Sequence, residues 1–148
     1  MIMVDYPAPA FRMQEKEGKG YIFDALRRSW LLLTPEEWVR QNFVQYLVQV
    51  KKYPATLIAL EKEILLNGLK KRFDILVFDV GHQPWMLVEC KAESVALNEA
   101  VLEQALRYHI TVPAQYLVIT NGRETRAWKK EEGRLVELNE LPEWNTAG

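Results

Sequence analysis

The chain has 148 residues, 49% of them hydrophobic and 26% charged, with a formal net charge of −1. That is the composition of one soluble globular domain long enough to bury a core, and its near-neutral charge lacks the basic footprint of a dedicated nucleic-acid binder. A single cysteine, Cys90, excludes an internal disulfide, and no apolar stretch approaches the length of a membrane span. The opening MIMVDYPAPAF carries an early acid and two prolines rather than a secretory apolar run, so the expected location is the cytoplasm.

Residues 10–33 read as a small β unit, with FRMQ, YIF and SWLLL separated by EKEGKG and the charged ALRR. Thr34-Pro35-Glu36-Glu37 then predicts a helix start: Thr34 as N-cap, Pro35 at the first helical position and Glu37 closing a capping box. The helix should run to about Val50 on an apolar side of Trp38, Val39, Phe43, Tyr46, Leu47 and Val50, and Tyr53-Pro54 stops it. Three strands follow at about 57–66, 69–79 and 84–91. Leu97, Val101, Ala105 and Tyr108 recur at helical spacing over about 97–110. QYLVIT and TRAWKK are strands turned on Asn121-Gly122, with RLVEL a candidate extension. The crossover into QYLVIT should place it parallel to the third central strand. The expected division is an N-terminal β extension over 1–33, a core over 34–140 and a C-terminal tail over 141–148.

Two strands carry the chemistry. In FDILVFD and MLVECK, a turn centred between Gly81 and His82 sets Asp74 opposite Glu89, their Cβ atoms roughly 4.5–5.5 Å apart. Side chains alternate along a strand, so Glu89 and Lys91 share a face and Cys90 points into the core. Asn67-Gly68 is a strong hairpin signal, and a turn there sets Glu61 opposite Asp74 and Glu63 opposite Arg72. Glu61, Asp74 and Glu89 then form an acidic row with no basic residue of its own. Glu63 pairs Arg72 in the next row, beside Lys91. Facing carboxylates repel unless a cation joins them, and hard oxygen ligands suit Mg²⁺ or Mn²⁺. The competing reading is a cross-strand ion pair contributing under ~1 kcal/mol.

Asp74 followed by Glu89-Cys90-Lys91 on the next strand resembles the PD-(D/E)XK nuclease superfamily, with Phe73 in place of the proline. Gln104 and Tyr108 resemble the Gln-x-x-x-Tyr of RecB-like members. KRFDILVFD, PWMLVECKA, QALRY and YLVITNG together resemble the N-terminal nuclease domain of type I restriction enzyme R subunits over roughly 34–125. The resemblance implies a three-layer α/β/α restriction-endonuclease-like core of helix, three antiparallel strands, helix and two strands, with an N-terminal β-hairpin extension.

It further implies a DNA endonuclease module in which Asp74, Glu89 and the Cys90 carbonyl bind the metal. Lys91 would orient water or offset charge in the transition state. Gln104 and Tyr108 support the site from one helix face, and Glu61 is a possible third acid. These 148 residues hold no G-x-x-x-x-G-K-[ST] loop, so the expected module lacks the translocase and takes DNA, with a separate helicase or specificity subunit as a candidate partner. The alternative is a weak or inactive nuclease-fold module for DNA binding or subunit docking. His82 and His109 are expected at the surface, and the clusters Lys70-Lys71-Arg72 and Arg123, Arg126, Lys129, Lys130 read as solvated faces.

Overall fold

The computed structural model describes residues 1–144, so the last four residues of the expected C-terminal tail lie outside it. It is a mixed α/β fold with two helices, a three-stranded sheet and a six-stranded sheet. The N-terminal unit is a three-stranded meander, β1 (Met13–Lys16), β2 (Lys19–Asp24) and β3 (Ser29–Leu32), rather than a hairpin. The buried Asp24 carboxylate organises the β2–β3 turn, accepting from the Leu26 and Arg27 backbone and from Arg27 Nε at 2.6 Å.

Helix α1 (Pro35–Gln49) begins where the TPEE motif predicts, with Thr34 Oγ1 accepting from Glu37 N at 3.0 Å. The Glu37 side chain does not serve as the capping partner expected of it. It turns inward and accepts from Arg40 and Gln41, because its helix face is buried and carries its own donors. Val39, Phe43, Tyr46 and Leu47 are in the core as expected, whereas Val50 at the helix end is exposed.

The large sheet has the order β4 (Ile58–Leu66), β5 (Leu69–Phe78), β6 (Pro84–Cys90), β7 (Tyr116–Thr120), β8 (Thr125–Glu131) and β9 (Arg134–Leu138). Three strands therefore follow the second helix, α2 (Glu99–His109), rather than two, since RLVEL pairs fully with β8. β6 and β7 are parallel and every other neighbouring pair is antiparallel.

The Asn67-Gly68 turn sets the register expected of it, and β5 and β6 keep the expected register from Ile75 to Val77 although their connection is looser. Asn67 and Gly68 have φ of 50° and 79°, the conformation of a tight two-residue hairpin, and Leu66 pairs with Leu69. Leu60 pairs with Ile75 and Lys62 with Phe73, which leaves Glu61 opposite Asp74. On the other side the ladder ends with Ile75 paired to Val88, one residue short of Asp74 and Glu89. The β5–β6 connection is longer than a turn on Gly81-His82. The register shifts after Val77, and Asp79 accepts from Gly81 and Gln83 across the loop.

Glu61 has φ of 52°, a left-handed conformation that a residue with Cβ avoids at roughly 1–2 kcal/mol. The strand faces exchange at that point. Leu60, Ile75 and Val77 join the core cluster that holds α1, whereas Ile64, Leu66 and Phe73 join a cluster with Leu106 of α2. This irregularity sits beside Asp74, between two well-packed layers of side chains.

The N-terminus and residues 141–144 also pack on the core. Ile2 bridges Thr125, Leu141 is buried, and the Tyr53 hydroxyl donates to Pro142 O at 2.6 Å. Among the described residues no helix is long and apolar enough to cross a membrane.

Candidate active site

Asp74, Glu89 and Lys91 border one open cleft of about 350 Å³, together with Glu36, Arg72, Gln104 and Tyr108. β5 delivers Asp74, β6 delivers Glu89 with Lys91 just beyond its end, and α2 delivers Gln104 and Tyr108. Cys90 is buried with its side chain in the α1 cluster, and burial pushes its thiol well above the ordinary range. Its backbone N–H donates to Asp74 Oδ2 at 2.8 Å, which fixes one carboxylate oxygen in the gap between β5 and β6.

The acidic row is not without cations. Arg40 from α1, only 4% exposed, reaches in from the helix layer. Its guanidinium lies 2.6 Å from Glu37, 2.8 Å from Glu61, 3.4 Å from Glu36 and 3.5 Å from Asp74. Pairing strands by number does not reveal it, because a helix residue enters through packing and not through register. Arg72 also departs from the expected pairing: it stands opposite Glu63 but forms its ion pair with Glu61, whose left-handed backbone swings the carboxylate toward it.

His109 is the second correction. It is buried, and its Nε2 lies 2.7 Å from Glu89 Oε1, while its ring packs against Phe73 and the edge of Tyr108. Its Nδ1 is buried with no hydrogen-bond partner among the described residues. The expected apolar side of α2 included Tyr108, yet Tyr108 is 44% exposed and His109 takes the inward position with Leu102 and Ala105. A histidine four residues after Ala105 was the available signal.

These contacts set the electrostatics. Burial tends to raise Glu89, but the His109 hydrogen bond and the nearby Lys91 ammonium outweigh it, so its carboxyl lies below the usual range. Lys91 Nζ is 3.2 Å from Glu89 Oε2. Glu36 moves the other way, raised first by burial and then by the negative charge of Asp74, against the opposing pull of Arg40 and Lys91.

Among the described residues no group of three or more His, Cys, Asp and Glu converges as a closed metal site. The cleft instead offers two carboxylates from adjacent strands, with Asp74 Oδ1 held by a 3.5 Å contact and Glu89 Oε2 by Lys91. Such a set fits Mg²⁺ or Mn²⁺ better than zinc, because Mg²⁺ takes one or two carboxylates and keeps several waters.

The family described as Type I restriction enzyme R protein N terminus (HSDR_N) matches residues 35–142. No curated protein matches the chain.

Proposed function

The chain belongs to the type I restriction enzyme R protein N-terminus family, and we propose that it is a divalent-metal-dependent DNA endonuclease module built on a three-layer α/β/α core over residues 34–140. The observation that carries this reading is the meeting of Asp74, Glu89 and Lys91 in one cleft, on neighbouring strands and beneath Gln104 and Tyr108. Residues 1–33 form the N-terminal extension of that core, and 141–148 are its tail.

Asp74 and Glu89, with the Cys90 carbonyl, are the residues to hold the cation. When bound, Mg²⁺ or Mn²⁺ supplies Lewis acidity toward a phosphodiester oxygen and a more acidic water. Cys90 N–H and His109 each hold one carboxylate oxygen, so the remaining Asp74 Oδ1 and Glu89 Oε2 are the ones left to face the cleft. Lys91 offsets negative charge developing on the phosphoryl oxygens and orients the attacking water. Gln104, exposed on α2, is placed to contact phosphate, and Glu61 remains a third acid one strand away, held by Arg40 and Arg72. DNA is the substrate this family membership points to, with a motor or specificity subunit as the expected partner.

One observation favours a second reading, a nuclease-fold module that binds DNA or docks a subunit with little turnover. Arg40, His109 and Lys91 already contact the candidate ligands. Two measurements separate the readings. Purified protein with Mg²⁺ or Mn²⁺ should cleave a panel of linear, nicked, single-stranded and branched DNA, and metal should raise its melting temperature. Asp74→Ala should remove both effects. A protein that cuts no member of the panel and melts identically with and without metal belongs to the second reading.

A further inference from the structure

β4 and β5 are two of the longest strands and form a hairpin that packs Ile64 and Leu66 inward, with Leu65 and Leu69 near its tip 67% and 65% exposed. Glu63 pairs with Arg72 and Leu65 with Lys70. On the tip side of the irregularity at Glu61, side chains two apart share a face, so Arg72 and Lys70 lie on one face of β5 between Asp74 and the tip. Arg72 borders the cleft beside Asp74, and together with Glu36 it also borders a second cleft of about 680 Å³ that reaches Arg27 and Leu32. The two clefts therefore meet at Glu36 and Arg72, at the base of the hairpin.

Lys71, between the two cations, faces the opposite way and fastens the hairpin to the end of α2. Its Nζ donates to Tyr108 O at 2.7 Å and to Thr111 Oγ1 at 3.0 Å, and lies 4.9 Å from the centre of the Tyr108 ring. The basic run is thus divided by alternation: Lys71 is structural, Arg72 borders both clefts, and Lys70 stands exposed on the same face nearer the tip.

We propose that this face of the β4–β5 hairpin is a ledge for the DNA strand being cut, on which Arg72 and Lys70 take phosphates at increasing distance from the bond beside Asp74 and Glu89. The inference rests on the nuclease reading and adds the direction in which the substrate runs. A two-residue step along a strand advances about 6.7 Å. Successive phosphates of one DNA strand are separated by about the same distance, because the strand winds round the helix axis as well as rising along it. Arg72 then meets a phosphate about one nucleotide from the cut, and Lys70 one about two away. The site holds Asp74, Glu89 and Glu36, so a polyanion needs positioned cations close by to enter it. Lys70 stands opposite Leu65, so no carboxylate faces it directly across the hairpin.

The test is duplex binding in Ca²⁺ and cleavage in Mg²⁺, with wild type, Lys70→Gln, Arg72→Gln and Arg126→Gln on the distant β8. Each ledge substitution should raise Kd several-fold and make the slope of log Kd against log salt shallower by about 0.9, the loss of one phosphate contact. kcat/KM should fall for Lys70→Gln on duplexes extending several nucleotides beyond the cut, but not on those ending just past it. Arg126→Gln should match wild type. Because Arg72→Gln also releases Glu61, Lys70→Gln decides the matter, with melting curves checking the fold. Wild-type Kd, salt slope and kcat/KM in Lys70→Gln overturn the ledge while leaving the nuclease reading intact. Binding with the predicted slopes but no cleavage by wild type supports the ledge and removes the nuclease. Absence of DNA binding by wild type overturns both.

Discussion

Two arginine–carboxylate sites in this molecule use the same chemistry to different ends. On the exposed edge of the large sheet, Arg126 grips Glu137 of β9 with both ends of its fork, Nε to Oε2 at 3.0 Å and a terminal nitrogen to Oε1 at 2.6 Å. One charge answers one charge. Under α1, a single buried guanidinium serves four carboxylates, and its Nε finds no partner among the described residues. The short contacts of Arg40 go to Glu37 and Glu61, and the long ones to Glu36 and Asp74, which border the cleft. The surface pair is balanced and can only add a little stability. The buried hub leaves its cleft-facing acids incompletely answered, which is the state a cation-binding site requires.

The comparison breaks most sharply at Arg40. Arg40→Met keeps the bulk of the side chain but takes the close cation from buried Glu37, which keeps only Arg27 at 3.7 Å, and leaves half-buried Glu61 with Arg72 alone. Loss of one partner from a buried ionic cluster costs about 3–5 kcal/mol. The lower end is expected here, because Glu36 reaches water. Denaturant titration should show that loss, and millimolar Mg²⁺ should restore part of it if the acids form a cation site. A variant within ~0.5 kcal/mol of wild type would show that the hub is no more than a surface pair.

Lys91 sharpens it from the chemical side. Its ammonium is partly exposed and 3.2 Å from Glu89, so its contribution to folding is small. Lys91→Ala should retain the melting temperature and metal response while DNA cleavage falls by about 10²-fold or more, as for one preorganised electrostatic contact. Full activity in the variant would remove Lys91 from the reaction.

His109 is expected to have an intermediate effect. It holds Glu89 Oε1 from the buried side, so His109→Ala leaves a half-buried carboxylate oxygen unanswered at about 1–3 kcal/mol. His109→Gln can still donate to that oxygen and should recover much of the stability and of the metal-induced melting shift. If both variants lose equally, ring packing against Phe73 and Tyr108 matters and the hydrogen bond does not.

Most of the fold was legible because local rules governed it. Asn67-Gly68 set one register, TPEE started α1, and the apolar runs marked the strands. The placement of Glu61 beside Asp74 followed from that turn, whereas Glu89 comes beside Asp74 through a looser connection than the Gly81-His82 turn expected. Arg40 and His109 were not legible, since each enters the site from a helix packed on the sheet and neither belongs to a strand register. The exchange of faces at Glu61 was equally hidden. Nothing in ALEKEI announces a left-handed glutamate, and the packing of Leu60 and Ile64 against different clusters reveals it. The third N-terminal strand was written in SWLLL, but a three-stranded meander and a hairpin with a trailing strand read alike before pairing is known.

The smallest effect belongs to the surface pair, and its sign can be fixed in advance. The Arg126 hydrogen bonds hold Glu137 below the usual carboxyl range, against the opposing influence of burial, and the charges of Arg126 and the N-terminal amine add to the lowering. A carboxyl lowered on folding stabilises the native state above its unfolded pKa, and that contribution fades as pH falls through the lowered folded value. Both side chains are about a third exposed, so solvent screening keeps the contribution under ~1 kcal/mol. Wild type minus Glu137→Gln stability should therefore be a small positive difference near neutral pH that shrinks toward zero in acid and in high salt. A difference that grows on acidification would mean that Glu137 is held by something other than Arg126, and the one-to-one pair would cease to be the balanced counterpart of the Arg40 hub.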